Sequence, residues 1–284
     1  MSKIILIGKT GQVASELKKL INKNDDYILY NYGSKELDFT NLEQLEQSLH
    51  ELPEADFLIN AAAYNLVDQA EDEPEIADLI NHQAVALIAK YCARQHIKFI
   101  HYSTNYVFAG NSQEALKEQD IAKPISIYAK TKLAGEQAVI ASDCEYLILR
   151  VATVFNKTAN NFFTKISKLA ASHAQLKIVA DQITNPTSSK AIAEATLQII
   201  AQLLAGKKIT NEIYHLASKQ QISYYEFAQL IVAYLKEVGE DCIAKEIIAV
   251  TSAEFSTKAQ RPLNAALDVG KIKQDFGIVI NLEL

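Results

Sequence analysis

The chain has 284 residues, of which 49% are apolar and 22% are charged, and its formal net charge is −6. These values are typical of a globular protein with one large α/β domain, or with one large and one small domain. The negative charge argues against nucleic acid or an anionic membrane as the main partner, but it allows one anionic substrate in a locally basic cleft.

The cysteines and the apolar runs bear on the cellular compartment. Three cysteines, Cys92, Cys144 and Cys242, are too few and too far apart for a disulfide framework or a metal knuckle. The apolar run at the start, Ile4 to Ile7, is shorter than a signal-peptide core, and no apolar run approaches the length of a membrane span. We therefore expect a cytoplasmic protein without a membrane partner.

The first unit reads as strand, glycine turn and helix. Ile4 to Ile7 form a continuous apolar run, Gly8 and Gly11 follow it, and apolar residues then recur at helical spacing up to Ile21. Such a turn lets backbone N–H groups at a helix N-terminus face a pyrophosphate. Ala14 stands where a third glycine is usual and is still small enough for close packing. The alternative is a tight connection that binds no ligand.

The second strand, Tyr27 to Tyr32, ends without a carboxylate to accept from a ribose 2′-hydroxyl. Ser34 and Lys35 follow instead, and they would tolerate a 2′-phosphate. This pattern favours NADPH over NADH, unless Lys35 is simply a solvated loop charge.

The next segments continue the alternation of strands and helices. Thr40 or Asn41 is expected to cap a helix over 42–49, and a third strand is expected over 56–60. Ala61, Ala62 and Ala63 then leave room at the strand end for an extended ligand, although packing alone could explain them. A long helix is expected from the acidic run 71–75 to about residue 95, with its acids at the positive end of the helix dipole.

The fourth strand and the helix after it bring three chemically useful side chains into one region. The strand, Phe99 to Ser103, opens into a loop at Thr104, and Tyr128 and Lys132 lie four residues apart on one helix face. A lysine ammonium stabilises a phenolate and lowers the pKa of the phenol, and a threonine hydroxyl can hold a carbonyl. Together with hydride from a cofactor, this arrangement suits the reduction of a ketone.

The rest of the chain predicts a smaller second part. A fifth strand is expected over 146–155, followed by helices near 161–172, 188–204 and 224–238 and short strands near 176–180 and 213–216. We expect residues 1–155 to form a dinucleotide-binding domain, to which later segments return, and residues 156–284 to form mainly a substrate-binding lobe. The predicted fold class is α/β, a Rossmann-type doubly wound parallel sheet with this smaller C-terminal lobe.

Ordered motifs along nearly the whole chain resemble the dTDP-4-dehydrorhamnose reductases, a family of extended short-chain dehydrogenases/reductases. They are, in chain order, 8–13 (GKTGQV), 60–63 (NAAA), 67–71 (VDQAE), 101–104 (HYST), 106–108 (YVF), 128–136 (YAKTKLAGE), 160–162 (NNF), 181–182 (DQ) and 261–262 (RP). The resemblance implies a Rossmann domain with a C-terminal substrate lobe. It also implies reduction of the 4-keto group of a dTDP-4-dehydro-6-deoxyhexose with NADPH or NADH.

The family's functional residues carry over by position. Tyr128 is implied as the proton donor, Lys132 as its partner and Thr104 as the hydroxyl that orients the carbonyl. The implied cofactor-binding residues are Gly8, Gly11, Gln12, Val13, Asp38, Phe39, Ala62, Ala63, Tyr64, Asn65, Tyr102, Tyr128 and Lys132. The implied substrate-binding residues are Thr104, Asn105 and Thr153.

Several positions depart from the family pattern, mostly on the substrate side. Asn105 replaces an aspartate, Thr153 replaces a tryptophan, and Ala265 replaces a serine. Thr184 and Asn185 replace a glycine and an alanine in the segment that follows Asp181-Gln182.

The same comparison bears on metal binding and assembly. In some relatives glutamates bind magnesium at a dimer interface; Glu16 matches one of them, but Lys190 replaces another. We therefore expect no metal, and either a monomer or a homodimer.

Two other functions remain open. An epimerase or dehydratase of the extended family uses the same tyrosine and lysine but shows no net consumption of cofactor; Gln12 and Arg261-Pro262 favour the reductase. A catalytically silent, nucleotide-binding regulatory homologue is the other possibility, suggested by Asn105 and Thr153.

Overall fold

The protein is described here from a computed structural model, which covers residues 1–208, 211–255 and 257–284. The elements of the first half are β1 Ser2–Ile7, α1 Gln12–Ile21, β2 Tyr27–Tyr32, α2 Leu42–His50, β3 Phe57–Asn60, a 3₁₀ turn Gln69–Glu71, α3 Pro74–Asp78, a π-helical segment Leu79–Gln83, α4 Ala84–Gln95, β4 Lys98–Thr104, a 3₁₀ turn Asn105–Val107, α5 Ile127–Ile140 and β5 Tyr146–Val151.

The second half contains shorter strands between its helices. Its elements are β6 Val154–Phe155, α6 Phe162–Ser172, β7 Gln175–Val179, β8 Ile183–Thr184, β9 Thr187–Ser188, α7 Ser189–Leu204, β10 Glu212–His215, β11 Ile222–Ser223, α8 Tyr224–Glu237, β12 Glu246–Val250, a 3₁₀ turn Ser252–Glu254 and α9 Gly270–Phe276.

The main sheet has six strands in the order β10-β5-β4-β3-β1-β2. All its pairings are parallel, for example Ile4 with Phe57 and Ile5 with Leu58 between β1 and β3. The strand order reverses between β1 and β3, because β2 was added on one side of β1 and β3 on the other. In a doubly wound sheet, ligands bind at the carboxyl ends of the strands beside this switch point.

Helices cover both faces of the sheet, which is why the central strands are almost continuously apolar. Side chains alternate along β1: Ile4 and Leu6 pack in a core with α1 and α7, whereas Ile5 and Ile7 pack in a core with α2 and α4. The fold class predicted from the sequence is thus confirmed.

A smaller lobe forms around a third core. Helices α6 and α8 pack together and against β7, which pairs with β12 in parallel. Its centre is aromatic: the rings of Phe155 and Phe163 stack 5.9 Å apart, and Phe227 lies edge-on to Phe155 at 5.2 Å. Other segments of the second half return to the main sheet, since β10 is its edge strand and α7 packs against α1.

Two predicted elements were wrong in their extent. The single strand expected over 146–155 is divided: β5 ends at Val151, Thr153 has a φ of +37°, and β6 then pairs with β9. The bend at Thr153 directs the chain out of the main sheet and into the lobe. The long helix expected over 71–95 is likewise interrupted, by the π-helical segment Leu79–Gln83 between α3 and α4.

The interruption of that helix coincides with a very close helix contact. Asn81, in the π segment, donates to the Thr131 hydroxyl of α5 at 3.1 Å and hydrogen-bonds the backbone of Tyr64 through both ends of its amide. Opposite it, Gly135 of α5 lies so close that a Cβ at this position would be 2.2 Å from the Asn81 carbonyl oxygen. The glycine is needed because the two backbones touch.

Within the described residues, no helix is both long enough and apolar enough to span a membrane.

We expect Gly135→Ala to lower the free energy of unfolding by about 1–3 kcal/mol, because α5 must move away from Asn81 to admit the methyl group. Urea unfolding followed by circular dichroism measures this. Lys130→Ala, on the exposed side of the same helix, is the control and should change stability by less than about 0.5 kcal/mol. Equal stability of the two variants would contradict the close contact.

Candidate active site

Three adjoining cavities form one cleft along the carboxyl edge of the sheet. The first, about 580 Å³, lies between the glycine turn and the segment after β2; the second, about 390 Å³, lies between the ends of β4 and β5 and α5. The third, about 740 Å³, lies in the lobe. The first two share Gly11 and Ala61 to Ala63, and the last two share Phe162 and Tyr224, so an extended ligand can pass through all three.

The glycine turn is shaped for the approach of a ligand's phosphates. Gly8 has a φ of +117°, and a Cβ there would lie 2.8 Å from the backbone carbon of Ala61. Gly11 is the N-cap residue of α1, and no side chain caps the first N–H groups of that helix. Uncapped N–H groups at the positive end of a helix bind phosphate. The residues present therefore fit a dinucleotide pyrophosphate at Gly11, Gln12 and Val13.

The first cavity contains a carboxylate, that of Glu36, which the sequence analysis of the end of β2 did not identify. Glu36 lies four residues after β2; its carboxylate accepts from Lys9 Nζ and from the Gly33 N–H, both at 2.8 Å. Both hydrogen bonds lower the pKa of Glu36, and the one from Lys9 has the larger effect. This cavity thus contains both a cation and a carboxylate, and Lys35 is exposed beside them.

Helix α5 is positioned by contacts at its start and on its inner face. The Ser126 side chain caps it, and Glu71 Oε1 accepts from the Ile127 N–H at 2.8 Å. Two turns further on, Glu136 forms a bidentate ion pair with Arg150 of β5, at 2.9 and 2.7 Å. These contacts place Tyr128 at the second position of the helix, at the wall of the second cavity.

Tyr128 and Thr104 meet in the second cavity. Burial raises the pKa of Tyr128, and a hydrogen bond with Thr104 lowers it. The expected lowering of the phenol pKa by Lys132 is not what the structure gives, because burial is the larger effect. The phenol is therefore protonated at neutral pH and can serve as an acid.

Lys132 lies on the same helix face, one turn beyond Tyr128, and is 2% exposed. Its Nζ donates to the Tyr102 carbonyl oxygen at 2.7 Å and lies 3.4 Å from His101 Nε2. Burial lowers the pKa of Lys132 to about 8, although Glu136 opposes this change. The ammonium of Lys132 thus loses its proton more readily than that of an exposed lysine.

Hydroxyl groups cover the far side of the second cavity. Thr153 Oγ1 hydrogen-bonds Thr184 Oγ1 at 2.8 Å and the Tyr224 hydroxyl at 3.1 Å. Asn105 donates to the Ala265 carbonyl at 2.8 Å, so its amide is held in place. Of the positions that depart from the family pattern, Asn105 and Thr153 thus line this cavity. Thr184 and Ala265 contact them from behind, whereas Asn185 donates to the Ser218 and Leu267 carbonyls away from it.

The structure brings most of the predicted site residues to this cleft. Those that line its first two cavities are Gly8, Gly11, Gln12, Val13, Asp38, Phe39, Ala62, Ala63, Asn65, Tyr102, Thr104, Asn105, Tyr128, Lys132 and Thr153. Tyr64 is not among them: its hydroxyl donates to Glu73 at 2.6 Å. Tyr102 lines the cleft, but its hydroxyl hydrogen-bonds Thr196 of α7 at 2.6 Å.

Sequence reasoning missed several residues that shape the site. Asp68 binds Arg261 with two hydrogen bonds, at 3.1 and 2.6 Å, which ties the C-terminal segment to the cleft. Gln12 accepts from Asn161 Nδ2 at 2.8 Å, which ties the glycine turn to the lobe. Asp68, Asn161 and Arg261 occur in the family motifs, but the sequence gives no structural role for them, and for Gln12 the resemblance implies only cofactor binding.

The third cavity was also missed. It is lined by aromatic and basic side chains together, including Phe162, Lys165, Lys177, Tyr224, Phe255 and Arg261. Only the family motifs that contribute lining residues, such as Asn160-Asn161-Phe162, could have drawn attention to this cavity.

No group of three or more His, Cys, Asp or Glu side chains among the described residues could hold a metal ion.

Comparisons with known proteins agree with this geometry. Residues 2–282 match the RmlD substrate binding domain family. The dTDP-4-dehydrorhamnose reductase of Escherichia coli K12 is 34% identical over 279 residues, which is 98% of this chain and 93% of that protein.

Two solved structures are also similar. A dTDP-4-dehydrorhamnose reductase from Bacillus anthracis in complex with NADP has a TM-score of 0.87 at 28% identity and covers 99% of this chain and 94% of its own. An orthologous reductase from Clostridium acetobutylicum has a TM-score of 0.89 at 29% identity, covering 98% of this chain and 95% of its own.

We expect Gly8→Ala to weaken binding of NADPH at least tenfold, because its methyl group would strike the Ala61 backbone and distort the turn. Quenching of protein fluorescence on titration with NADPH measures the dissociation constant. Gly206→Ala is the matched control: its φ is +97°, but nothing lies within 4 Å of the added carbon. If both variants bind NADPH equally well, the cofactor does not lie at this turn.

Proposed function

The chain belongs to the RmlD substrate binding domain family, and we propose that Tyr128, Lys132 and Thr104 are the residues with which it reduces a dTDP-4-dehydro sugar. It is an NAD(P)H-dependent sugar-nucleotide reductase, and the reaction is the reduction of dTDP-4-dehydrorhamnose in rhamnose biosynthesis. The observation that carries the residue assignment is that Tyr128, Lys132 and Thr104 line one cavity, next to the glycine turn.

The bound cofactor supplies hydride to the carbonyl carbon. Tyr128, protonated at neutral pH, donates its proton to the carbonyl oxygen as negative charge develops there, and Thr104 holds that oxygen against the phenol. Lys132, anchored on the Tyr102 carbonyl, stabilises the phenolate that is left and returns a proton to it. Gly11, Gln12 and Val13, at the start of α1 and at the wall of the second cavity, would hold the cofactor pyrophosphate.

The nucleotide of the substrate fits the third cavity. Lys165 and Lys177 provide positive charge for a diphosphate, and Phe162 and Phe255 provide apolar surface for a thymine ring. Since this cavity adjoins the second one at Phe162 and Tyr224, a sugar between them reaches Tyr128. The hydroxyls of Thr153 and Tyr224, which line the second cavity, then face the sugar hydroxyls, and Thr184 holds Thr153 from behind.

The assignment of the two parts of the chain follows from this arrangement. We propose that residues 1–155 mainly bind the dinucleotide and that residues 156–284 mainly bind the sugar nucleotide, apart from the segments that return to the sheet. A cytoplasmic location, no nucleic-acid partner and a monomeric or homodimeric state belong to the same proposal.

One assay separates this reductase from the alternatives. Purified protein is given dTDP-4-keto-6-deoxy sugars with NADPH or NADH, and products are identified by mass and stereochemistry. A reductase consumes one NAD(P)H for each alcohol formed. Turnover without net consumption would indicate an epimerase or dehydratase, and binding of nucleotide without turnover would indicate a silent homologue.

We expect Tyr128→Phe to lower kcat by at least about 100-fold, because the proton donor is lost, while the dissociation constant for NADPH changes less than threefold. Steady-state kinetics and fluorescence titration measure the two quantities. Tyr91→Phe, which removes a hydroxyl from a buried tyrosine of the α2 and α4 core, is the control and should retain activity. Retention of activity by Tyr128→Phe would refute the assignment.

The Lys9–Glu36 pair predicts how the two cofactors are accommodated. We expect Lys9→Gln to lower kcat/KM with NADPH about tenfold more than with NADH, because a charge-assisted hydrogen bond to the 2′-phosphate is lost. Glu36→Gln should instead disfavour NADH relative to NADPH, because the carboxylate no longer accepts from the 2′-hydroxyl. Kinetics with each cofactor test both.

Lys35→Gln is the comparison variant for this prediction. A loss of NADPH preference with Lys35→Gln and not with Lys9→Gln would assign the phosphate to Lys35.

A further inference from the structure

A buried polar chain, Asn60–His101–Lys132, extends from Lys132 into the main sheet. Asn60 and His101 are both 0% exposed and lie opposite each other in the register of β3 and β4. Asn60 Nδ2 is 3.2 Å from His101 Nδ1, and His101 Nε2 is 3.4 Å from Lys132 Nζ. Buried polar groups destabilise a fold unless each is hydrogen-bonded, so the partners of these three side chains must match as donors and acceptors.

The orientation of the Asn60 amide is determined by the backbone. Asn60 Oδ1 accepts from the Ala62 N–H at 3.0 Å, and a backbone N–H can only donate. The amide nitrogen is therefore the atom that faces His101. Because an amide NH₂ also only donates, Nδ1 of His101 must accept and carries no hydrogen.

The tautomer of His101 follows from this. Burial, and then Lys132, lower the pKa of His101 well below its usual value, so the ring is neutral. A neutral imidazole with a bare Nδ1 carries its hydrogen on Nε2, and that N–H points at Lys132 Nζ. An ammonium has no lone pair to accept this hydrogen, whereas a neutral amine has one.

We propose that His101, held by Asn60 in the tautomer protonated on Nε2, is a positioning residue that lowers the proton affinity of Lys132 and makes it a better proton donor to Tyr128. The proposal rests on the assignment of Lys132 as the partner of Tyr128. During reduction Tyr128 loses its proton to the substrate oxygen, the phenolate takes a proton from the Lys132 ammonium, and the resulting amine is stabilised by the Nε2–H of His101. Solvent then returns a proton to the amine, so the proton balance closes.

Burial already lowers the pKa of Lys132, and the Nε2–H of His101 adds to this lowering, whereas the other charged and titratable groups near Lys132 do not. On α5 itself, Glu136 favours the ammonium, but its carboxylate is held by Arg150 of β5. Tyr128 is neutral, and Tyr106 lies edge-on to the Tyr128 ring at 6.3 Å. On β4 the carbonyl of Tyr102 accepts from Nζ in either protonation state.

The test measures the protonation of Lys132 in the unliganded protein. Competitive labelling with acetic anhydride between pH 6 and 11, read by mass spectrometry, reports the fraction of Lys132 present as free amine; the exposed Lys130 serves as the internal reference for the reagent. We expect a midpoint near 8 for the natural chain and a midpoint about one pH unit higher for His101→Leu, because the Nε2–H is gone. Asn60→Asp should also raise the midpoint, since its carboxylate draws the imidazole hydrogen to Nδ1 and adds negative charge.

His215→Gln is the matched control, because it removes another buried histidine of the same sheet; its Nδ1 faces the Asp268 carbonyl oxygen. It should leave the Lys132 midpoint within about 0.3 pH units. His101→Gln, of similar length, replaces His101→Leu if that variant does not fold; its Oε1 can accept from the ammonium, and the same upward shift is expected.

An unchanged midpoint in the folded His101 variants, or an equal shift in His215→Gln, would overturn the proposal. The pH dependence of kcat then provides the link to catalysis, and its midpoint should move in the same direction. Labelling reports the coupling of His101 and Lys132 even if the protein reduces no sugar. A failure of the proposed function is therefore distinguishable from a failure of this inference.

Discussion

The close seating of helix α5 on strands β4 and β5 is the constraint on which the site depends. Gly135 lets the helix touch the backbone of Asn81, and the buried Glu136–Arg150 pair fixes its rotation about its own axis. A buried ion pair contributes little net stability, but it disfavours every arrangement that leaves one partner alone. Tyr128 and Lys132 reach the end of the sheet because the same helix face carries Glu136.

The cleft joins two functions that lie on different parts of the chain. The glycine turn and the segment after β2 line one end, which we propose binds the cofactor phosphates and ribose, whereas α6, β7 and the C-terminal segment line the aromatic and basic end. Gln12–Asn161 and Asp68–Arg261 connect these parts across the middle. A reductase needs such connections, because hydride transfer requires two ligands to meet at a fixed distance.

The polar surroundings of the site explain how one constellation can release and recover a proton. Burial raises the pKa of the Tyr128 phenol and lowers the pKa of the Lys132 ammonium. In both groups it favours the uncharged form. Thr104 moderates the first effect and Glu136 the second. The hydrogen-bonded hydroxyls of Thr153, Thr184 and Tyr224 are a separate feature, and they contact neither Tyr128 nor Lys132 in any hydrogen bond of the described residues.

The sequence by itself determined the alternation of strands and helices, the glycine turn and the pairing of Tyr128 with Lys132, because each depends on neighbours within about one helical turn or one strand. It also carried the family motifs from which the reaction was inferred, and the comparisons confirm that reaction.

Only the tertiary structure decided that Glu36 faces Lys9, that Asn60 orients His101 and that the chain bends at Thr153. The two contacts join residues that are distant along the chain. The bend occurs where the chain leaves the main sheet and β6 pairs with β9. Strand register and helix docking set them, and no local periodicity encodes either. The raised pKa of Tyr128 likewise could not be read from the sequence, because it is caused by burial, and the depth of a side chain in the cleft is a property of the whole fold.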